Sequence, residues 1–437
     1  MEKIRTVAET LAILHQYHHP LGLERQPKQL KTADFDGPVI FSNDLETATV
    51  PPAFFTVQTI QELKALNGVP DSRYGPGKME SHYPLPEPFS AERLANVSGY
   101  HIDLRKAFRA YIYGDSALVK DYEEILNAKR FPMQVALYSG EQITINADNP
   151  LIIEDKEHCG EPVVLVYSQI TIEPEGKVIC YTNGRIEANV IQGVGFGPQH
   201  FVNKGRDGKN GIAGTGGSNG VSGARGQDGR ENKDSCVTWP TPGTHGTKGS
   251  SGMKGTDGEH GQEANKLTVT CGKVRGIIFL QSDGGGGGNG GHGGDGGYGG
   301  DGGDGGDGGD GGGGFIKTRC GFADGGDGAD GGDGGNGGNS GDVGDIEFNY
   351  SVGYPQLSYS LRPGSAGAGG RAGRGGRGGE GGCALCNAGD QTKNVSYLSC
   401  CGRSGVKGSD GNPGKPGQPG KKGQIYINGK LHESSVS

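Results

Sequence analysis

Three rules of hydrophobic spacing follow one another along the chain. Up to about residue 132, apolar residues recur at helical intervals in short pieces. Ile4, Val7, Leu11 and Leu14 share one helical face. Thr59 and Glu62 have the spacing of a capping box for a short helix closed by Asn67-Gly68. Residues 101–113 and 116–129 read as a helical pair turning at Gly114-Asp115. Proline-rich extended stretches at 37–56 and 68–90 separate these pieces. The pattern predicts an extended, partly helical N-terminal arm over 1–85 and a helical segment over 86–132.

The period then changes. MQVALY, QITIN, PLIIE, PVVLVYS, QITIEP, KVICYTN and RIEANVI are short β-prone runs parted by Gly, Pro, Asn or Asp. They predict a β-rich domain over 133–200, a sandwich or a solenoid.

From Gly205 glycine takes over, at every third position over 205–229, 243–261, 364–382 and 402–423. The run 326–344 keeps that register with Ala329 as its one substitution, and 284–314 has glycine at two of every three places. Apolar pieces lie between the runs, such as LTVTCGKVRGIIFLQ and IEFNYSVGYPQLSYSL. A flexible linker has no reason to hold glycine at fixed phase, whereas a helix of three residues per turn does. Such a helix has no internal hydrogen bonds, so its amides must find partners in neighbouring segments. Only GNPGKPGQPGKKG carries the proline of a collagen-like repeat. The expected fold class is therefore mixed: a glycine-rich polyproline II bundle of about six segments over 201–430 with β-like connectors, the β-rich domain, the N-terminal region and a short tail at 431–437. One glycine face suits a peripheral segment and two suit a central one, which puts 284–314 in the middle.

These segments resemble the glycine-rich polyproline II bundles of springtail antifreeze proteins and of phage tail-tip adhesins. The likeness covers residues 133–430 as a pattern. It implies a bundle architecture and carries over no catalytic residue. Ice binding and receptor binding are the functions it brings into consideration.

Composition sharpens the picture. Of 437 residues 90 are glycine, 32% are hydrophobic and one is tryptophan, so most of the chain cannot build an ordinary core. The net charge of −8 disfavours a general nucleic-acid binder, yet it is uneven. Twelve aspartates stand between 283 and 345, and ten Lys or Arg oppose four acids from Gly364 onward. Asp301, Asp304, Asp307 and Asp310 form an acidic row, and Arg371, Arg374 and Arg377 a basic row of equal period that could stay in step with it. A Ca²⁺ ladder is one reading of the aspartates; single carboxylates so far apart favour a solvated edge instead. The arginine row also resembles an RGG box, but its unbroken glycine phase favours a structural role.

Cys236, Cys271, Cys320, Cys383, Cys386, Cys400 and Cys401 are disulfide candidates, preferred over a zinc site, and suggest an oxidising compartment. Asn349 and Asn394 head glycosylation triplets. The first residues lack the form of a secretory signal, and no apolar run is long enough to span a membrane. No catalytic motif occurs in a fitting context, so an enzyme is not expected, and no cofactor or resident metal is required. The expected function is a structural, self-assembling extracellular protein that forms homopolymeric fibres or matrix by packing of the bundle and exchange of the N-terminal arm. Ice binding and a receptor-binding adhesin with a surface or glycan ligand are the alternatives.

Overall fold

An apolar run that does not alternate calls for a strand covered on both faces. Val163 to Tyr167 is such a run. Val163, Leu165 and Tyr167 enter one hydrophobic core, and Val164 and Val166 enter another. The strand is the middle of a sandwich of three layers: helices, a first sheet and a second sheet. In this computed structural model the described residues are 4–76, 78–79, 84–158, 160–228, 230–231, 236–238, 241–304, 323–387 and 397–432.

Strands are numbered along the chain. The first sheet holds nine: β1 (Gln29–Lys31), β3 (Ala53–Val57), β4 (Met133–Ile145), β6 (Val163–Ile172), β8 (Gly184–Gly193), β12 (Leu267–Arg275), β14 (Ile346–Gly353), β18 (Ile425–Ile427) and β19 (Lys430–His432). The second holds six: β2 (Val39–Ser42), β5 (Leu151–Glu154), β7 (Lys177–Cys180), β9 (Gln199–Lys204), β13 (Ile277–Asp283) and β15 (Gln356–Arg362). Two hairpins stand apart, β10 (Arg230–Glu231) with β11 (Cys236–Thr238), and β16 (Cys383–Asn387) with β17 (Tyr397–Cys401). All pairings within the two sheets are parallel except β3 with β4 and β18 with β19. The chain therefore coils, laying one strand in each sheet in turn. Leu267, Ile346 and Ile425 are in register on β12, β14 and β18, a step of 79 residues per coil.

The core between the sheets is made by the inward sides of these strands, with Phe41 stacked on Tyr138 at 3.9 Å. The outer face of the first sheet is covered by the helical layer. Helix α1 (Val7–Tyr17) starts at a capping box of Thr6 and Glu9, and α2 (Ile60–Asn67) at Thr59, whose hydroxyl accepts from Glu62 N–H. Leu104, Ala107 and Phe108 of α4 (Ile102–Tyr113) pack beside Leu126 of α5 (Glu123–Arg130); α3 (Ala91–Leu94) adds Leu94.

The expected fold class is overturned. The framework is an α/β fold of two mostly parallel sheets with few helices, and not a polyproline II bundle attached to a β-rich domain. The apolar pieces after residue 201, read as connectors, are β12 to β15 and β18, which continue the sheets that β4 to β9 begin. Their alternation fits a sheet with one face in the core, and parallel pairing extends it coil by coil. The glycine runs carry neither helix nor strand; they leave the ends of β9, β13 and β15 and return to the starts of β12, β14 and β18.

Residues 1–85 also differ from an exchangeable arm. β1 and β3 pair with β4, β2 pairs with β5, and Val7, Phe55, Ile60 and Leu63 are buried. Their alternating apolar residues find partners within the chain.

One buried ion pair ties the helical layer to the sheet. Lys266 Nζ and Arg73 Nη1 lie 3.0 and 2.8 Å from the two carboxylate oxygens of Glu347. Burial alone would raise the Glu347 carboxyl, but Lys266 and Arg73 outweigh it and hold it at about 2. A folded pKa below the unfolded one stabilises above the unfolded value near 4.5 and loses that stability as pH falls toward 2. Urea titrations from pH 7 to 2 should therefore show a slope that Glu347→Gln flattens. Lys266→Met, which leaves the carboxylate half-paired, should cost about 3 kcal/mol or more.

Candidate functional site

The glycine runs form three layers, each an outgoing and a returning arm. The first is 205–228 with 241–264, the middle 284–304 with 323–345, and the last 363–382 with 402–424. Their amides are paired by rule. In the middle triplet Asn289-Gly290-Gly291, Gly290 N–H donates to the Ala368 carbonyl of the last layer at 2.8 Å. Gly291 N–H donates to the Thr256 carbonyl of the first layer at 2.9 Å. Asn289 N–H donates to the Asn210 side chain, also in the first layer, at 2.8 Å. All three donors of the triplet are consumed, as chain with few apolar side chains requires.

That third bond explains the residues between the glycines. Where they are Asp, Asn, His or Ser they commonly accept, with the side chain, the amide of the residue 79 positions later. Asp295 accepts from Arg374, Asp301 from Glu380, Asp304 from Cys383, and His292 from Arg371. On the returning arms Asp257 accepts from Asn336, and Asp324, Asp327, Asp330 and Asp333 accept from Arg403, Val406, Ser409 and Asn412. The Asn336 amide holds the Asp257 carboxyl below the usual carboxylate range. Asp, Asn, His and Ser suit these positions because each can accept at short reach. The coil period was readable from glycines 79 apart, Gly205 with Gly284 and Gly285 with Gly364, but a search for threefold phase alone passes over it.

The outer layers depart from the rule, each in its own way. In the first layer Ile212, Ser218, Val221 and Ala224 have no preceding layer to receive their amides. They donate instead to the hydroxyls of Thr256, Ser250, Thr247 and Thr244, at 2.7 to 2.8 Å. On returning arms Gly255, Gly258 and Gly261 donate to the middle layer, and Gly334, Gly337 and Ser340 donate to the last. The corresponding residues of the last layer are Pro413, Pro416 and Pro419, which have no N–H to offer. Both ends of the stack are thus blunted in part, the first layer at these four amides and the last along 413–419 of its returning arm, as edge strands commonly are.

Other sequence candidates distribute as follows. Arg371 and Arg374 stand over His292 and Asp295 through their amides, and the Arg377 carbonyl accepts from Gly299. Asp301 and Asp304 of the acidic row receive the amides of Glu380 and Cys383, so among the described residues the arginine row stands over His292 and Asp295 and not over that acidic row. Cys383 and Cys401 form a disulfide at the base of the β16–β17 hairpin. Cys271, a disulfide candidate, forms none: it points from β12 into the core between the sheets, where burial pushes its thiol up to about 12. Cys180, also buried, is likewise unbridged. Asn349 lies on β14 with its amide donating to Glu347 at 3.1 Å. Asp307, Asp310, Cys320 and Asn394 lie outside the described residues, as do the side chains of Cys236, Cys386 and Cys400.

Two recesses occur elsewhere. A cavity of about 310 Å³ beside α5 is lined by Asn43, Tyr100, Lys129, Arg130 and Glu161, with Arg130 already paired to Glu161 at 2.7 Å. A shallow groove of about 570 Å³ where the arms leave the second sheet is lined by Lys204, Asp283 and Arg362, equivalent residues of successive coils. Among the described residues no group of three His, Cys, Asp or Glu is placed to hold a metal ion. Among the described residues, too, no helix is long and apolar enough to cross a membrane. No family model, no curated protein and no solved structure matches the chain.

Proposed function

We propose that the chain is a non-catalytic, extracellular structural protein, in which the stacked arms act as a stiff spacer between a sheet base and the connections at the arm ends. The observation that carries this reading is the amide pairing of the arms: both glycine amides of the middle triplets are bonded to neighbouring arms, and many of the third amides to a first-layer side chain, an arrangement suited to rigidity and of no use to a flexible linker. The Cys383–Cys401 disulfide supports an oxidising compartment. Exchange of the N-terminal arm is disfavoured, because β1, β2 and β3 are engaged in their own chain. Growth through the layers is disfavoured by the blunted ends. The connections between arms remain as joints, and Cys236, Cys320, Cys386 and Cys400 fall in them by sequence. Electron microscopy and non-reducing electrophoresis of concentrated protein should show particles linked end to end that separate on reduction. Monodisperse single particles under both conditions would overturn the assembly.

A second reading, binding to ice or a similar regular surface, is favoured by one feature. The first layer presents Thr244, Thr247, Ser250 and Thr256 at three-residue steps beside exposed Ile212 and Val221, an alternation of hydroxyl and methyl groups on a stiff backbone. Thermal hysteresis with the full chain decides it, and absence of ice shaping removes it.

A further inference from the structure

We propose that the outer face of the last layer binds an acidic polysaccharide, a role that goes beyond the spacer reading and does not depend on it. In the middle layer the side chains that reach toward the following layer are mostly acceptors for its amides, as at His292, Asp295, Asp324, Asn336 and Asp342. No layer follows the last, and there the same positions include Arg371, Arg374 and Arg377 on the outgoing arm, followed by Glu380, and Arg403, Lys415 and Lys421 on the returning arm, among the uncharged Val406, Ser409, Asn412 and Gln418. By the geometry of the layers before them, these side chains extend to the side where a fourth layer would lie. All six are exposed. Among the described residues none of them forms an ion pair, whereas Lys407 is matched by Asp410 at 3.0 Å; Asp410 also lies within electrostatic reach of Arg374. On the same returning arm Pro413, Pro416 and Pro419 remove the amides that would have bonded a further strand. What is left is a stiff array of cations, with the backbone donors removed around Lys415.

The array selects its partner. Three extended residues span about 9 to 10 Å, so the outgoing row offers a positive charge at that interval, and Lys415 and Lys421 on the returning arm stand two such steps apart. An alternating polysaccharide bearing an acid on every second sugar repeats its charge on a similar scale. Nucleic acid fits less well, since single strands need aromatic platforms and the arms of this layer hold no Phe, Tyr or Trp. The chain's net charge of −8 does not cancel the array, because exposed charges beyond about 8 Å are screened at physiological salt. The competing account is that the cations merely balance the aspartates of the middle layer.

The test uses the full chain on immobilised heparin and hyaluronan at ~0.15 M salt, with single-stranded DNA as comparison. The native protein should be retained on at least one polysaccharide and bind DNA more weakly. Arg371→Gln/Arg374→Gln/Arg377→Gln should bind about tenfold more weakly, since each exposed charge contributes little alone. Lys415→Gln/Lys421→Gln, on the other arm, should weaken binding in the same direction. The first-layer control Lys209→Gln/Lys248→Gln/Lys254→Gln changes net charge equally and should leave binding unaltered. Thermal unfolding of each variant reports whether it folds, and the two last-layer variants test the face independently. No retention of the native protein, equal loss in the control, or tighter binding to DNA would overturn the proposal.

Discussion

Gly294→Ala is expected to unfold the arms, although it adds one methyl group to a surface-rich part of the chain. A Cβ at Gly294 would stand well inside 3.0 Å of the Thr215 carbonyl oxygen, and both are backbone atoms of arms pinned by neighbours. The Gly294 amide donates to Met253 at 2.9 Å and its carbonyl accepts from Gly332 at 2.8 Å, so moving it away disturbs three arms together. No flexible side chain is available to yield. A loss of about 4 kcal/mol or more is expected, in the range where a named steric cause is required. Gly302, of the other glycine row, would press a Cβ as closely on the Ala323 carbonyl and donates to Glu380 of the last layer, and should behave alike. Asp295→Asn should be nearly silent, because the amide oxygen of Asn can accept the Arg374 N–H as the carboxylate does at 2.8 Å. Asp295→Leu, which cannot accept, should fall between the two. Circular dichroism melts of the four variants give the ordering; equal melting temperatures for Gly294→Ala and Asp295→Asn would show that the arms are not packed.

The second large effect concerns whole layers. Removing the segment 267–345 joins Lys266 to Ile346 and lets β14 take the register of β12 against β8, since Leu267 and Ile346 are paired and lie one full coil apart. The shortened chain should fold with two layers and unfold cooperatively. Removing one residue more shifts every following side chain to the opposite face of its strand and every glycine off its row. That variant should be insoluble or unfolded. Comparing the two by size-exclusion chromatography and melting separates a requirement for register from a tolerance of length; similar behaviour would mean that the repeat carries no structural weight.

Local signals were legible in the sequence. Thr59 and Glu62 mark the start of α2, and the change of period at residue 133 marks β4. The need of the glycine amides for partners in other segments was legible too, because it follows from the threefold phase and from hydrogen-bond accounting. The class of the fold was not. Strands β12 to β15 look like connectors when read within their own coil, because a parallel strand's partner lies in the next one. The same distance hid the reason for the aspartates. Asp304 reads as an edge residue until Cys383, one coil on, is seen to donate to it. The placement of the N-terminal region was hidden for a related cause: β2 is a short strand, VIFS, and its partner β5 follows only after the helical layer has been built.

The prolines of the last layer and the hydroxyls of the first set a limit that concentration cannot change. Where subunits add to an open end, the size of an object depends on how much protein is present. Here the chain repeats its unit three times, and the hydroxyls at one end and the prolines at the other discourage a further layer, so the thickness of the stack is written into the polypeptide.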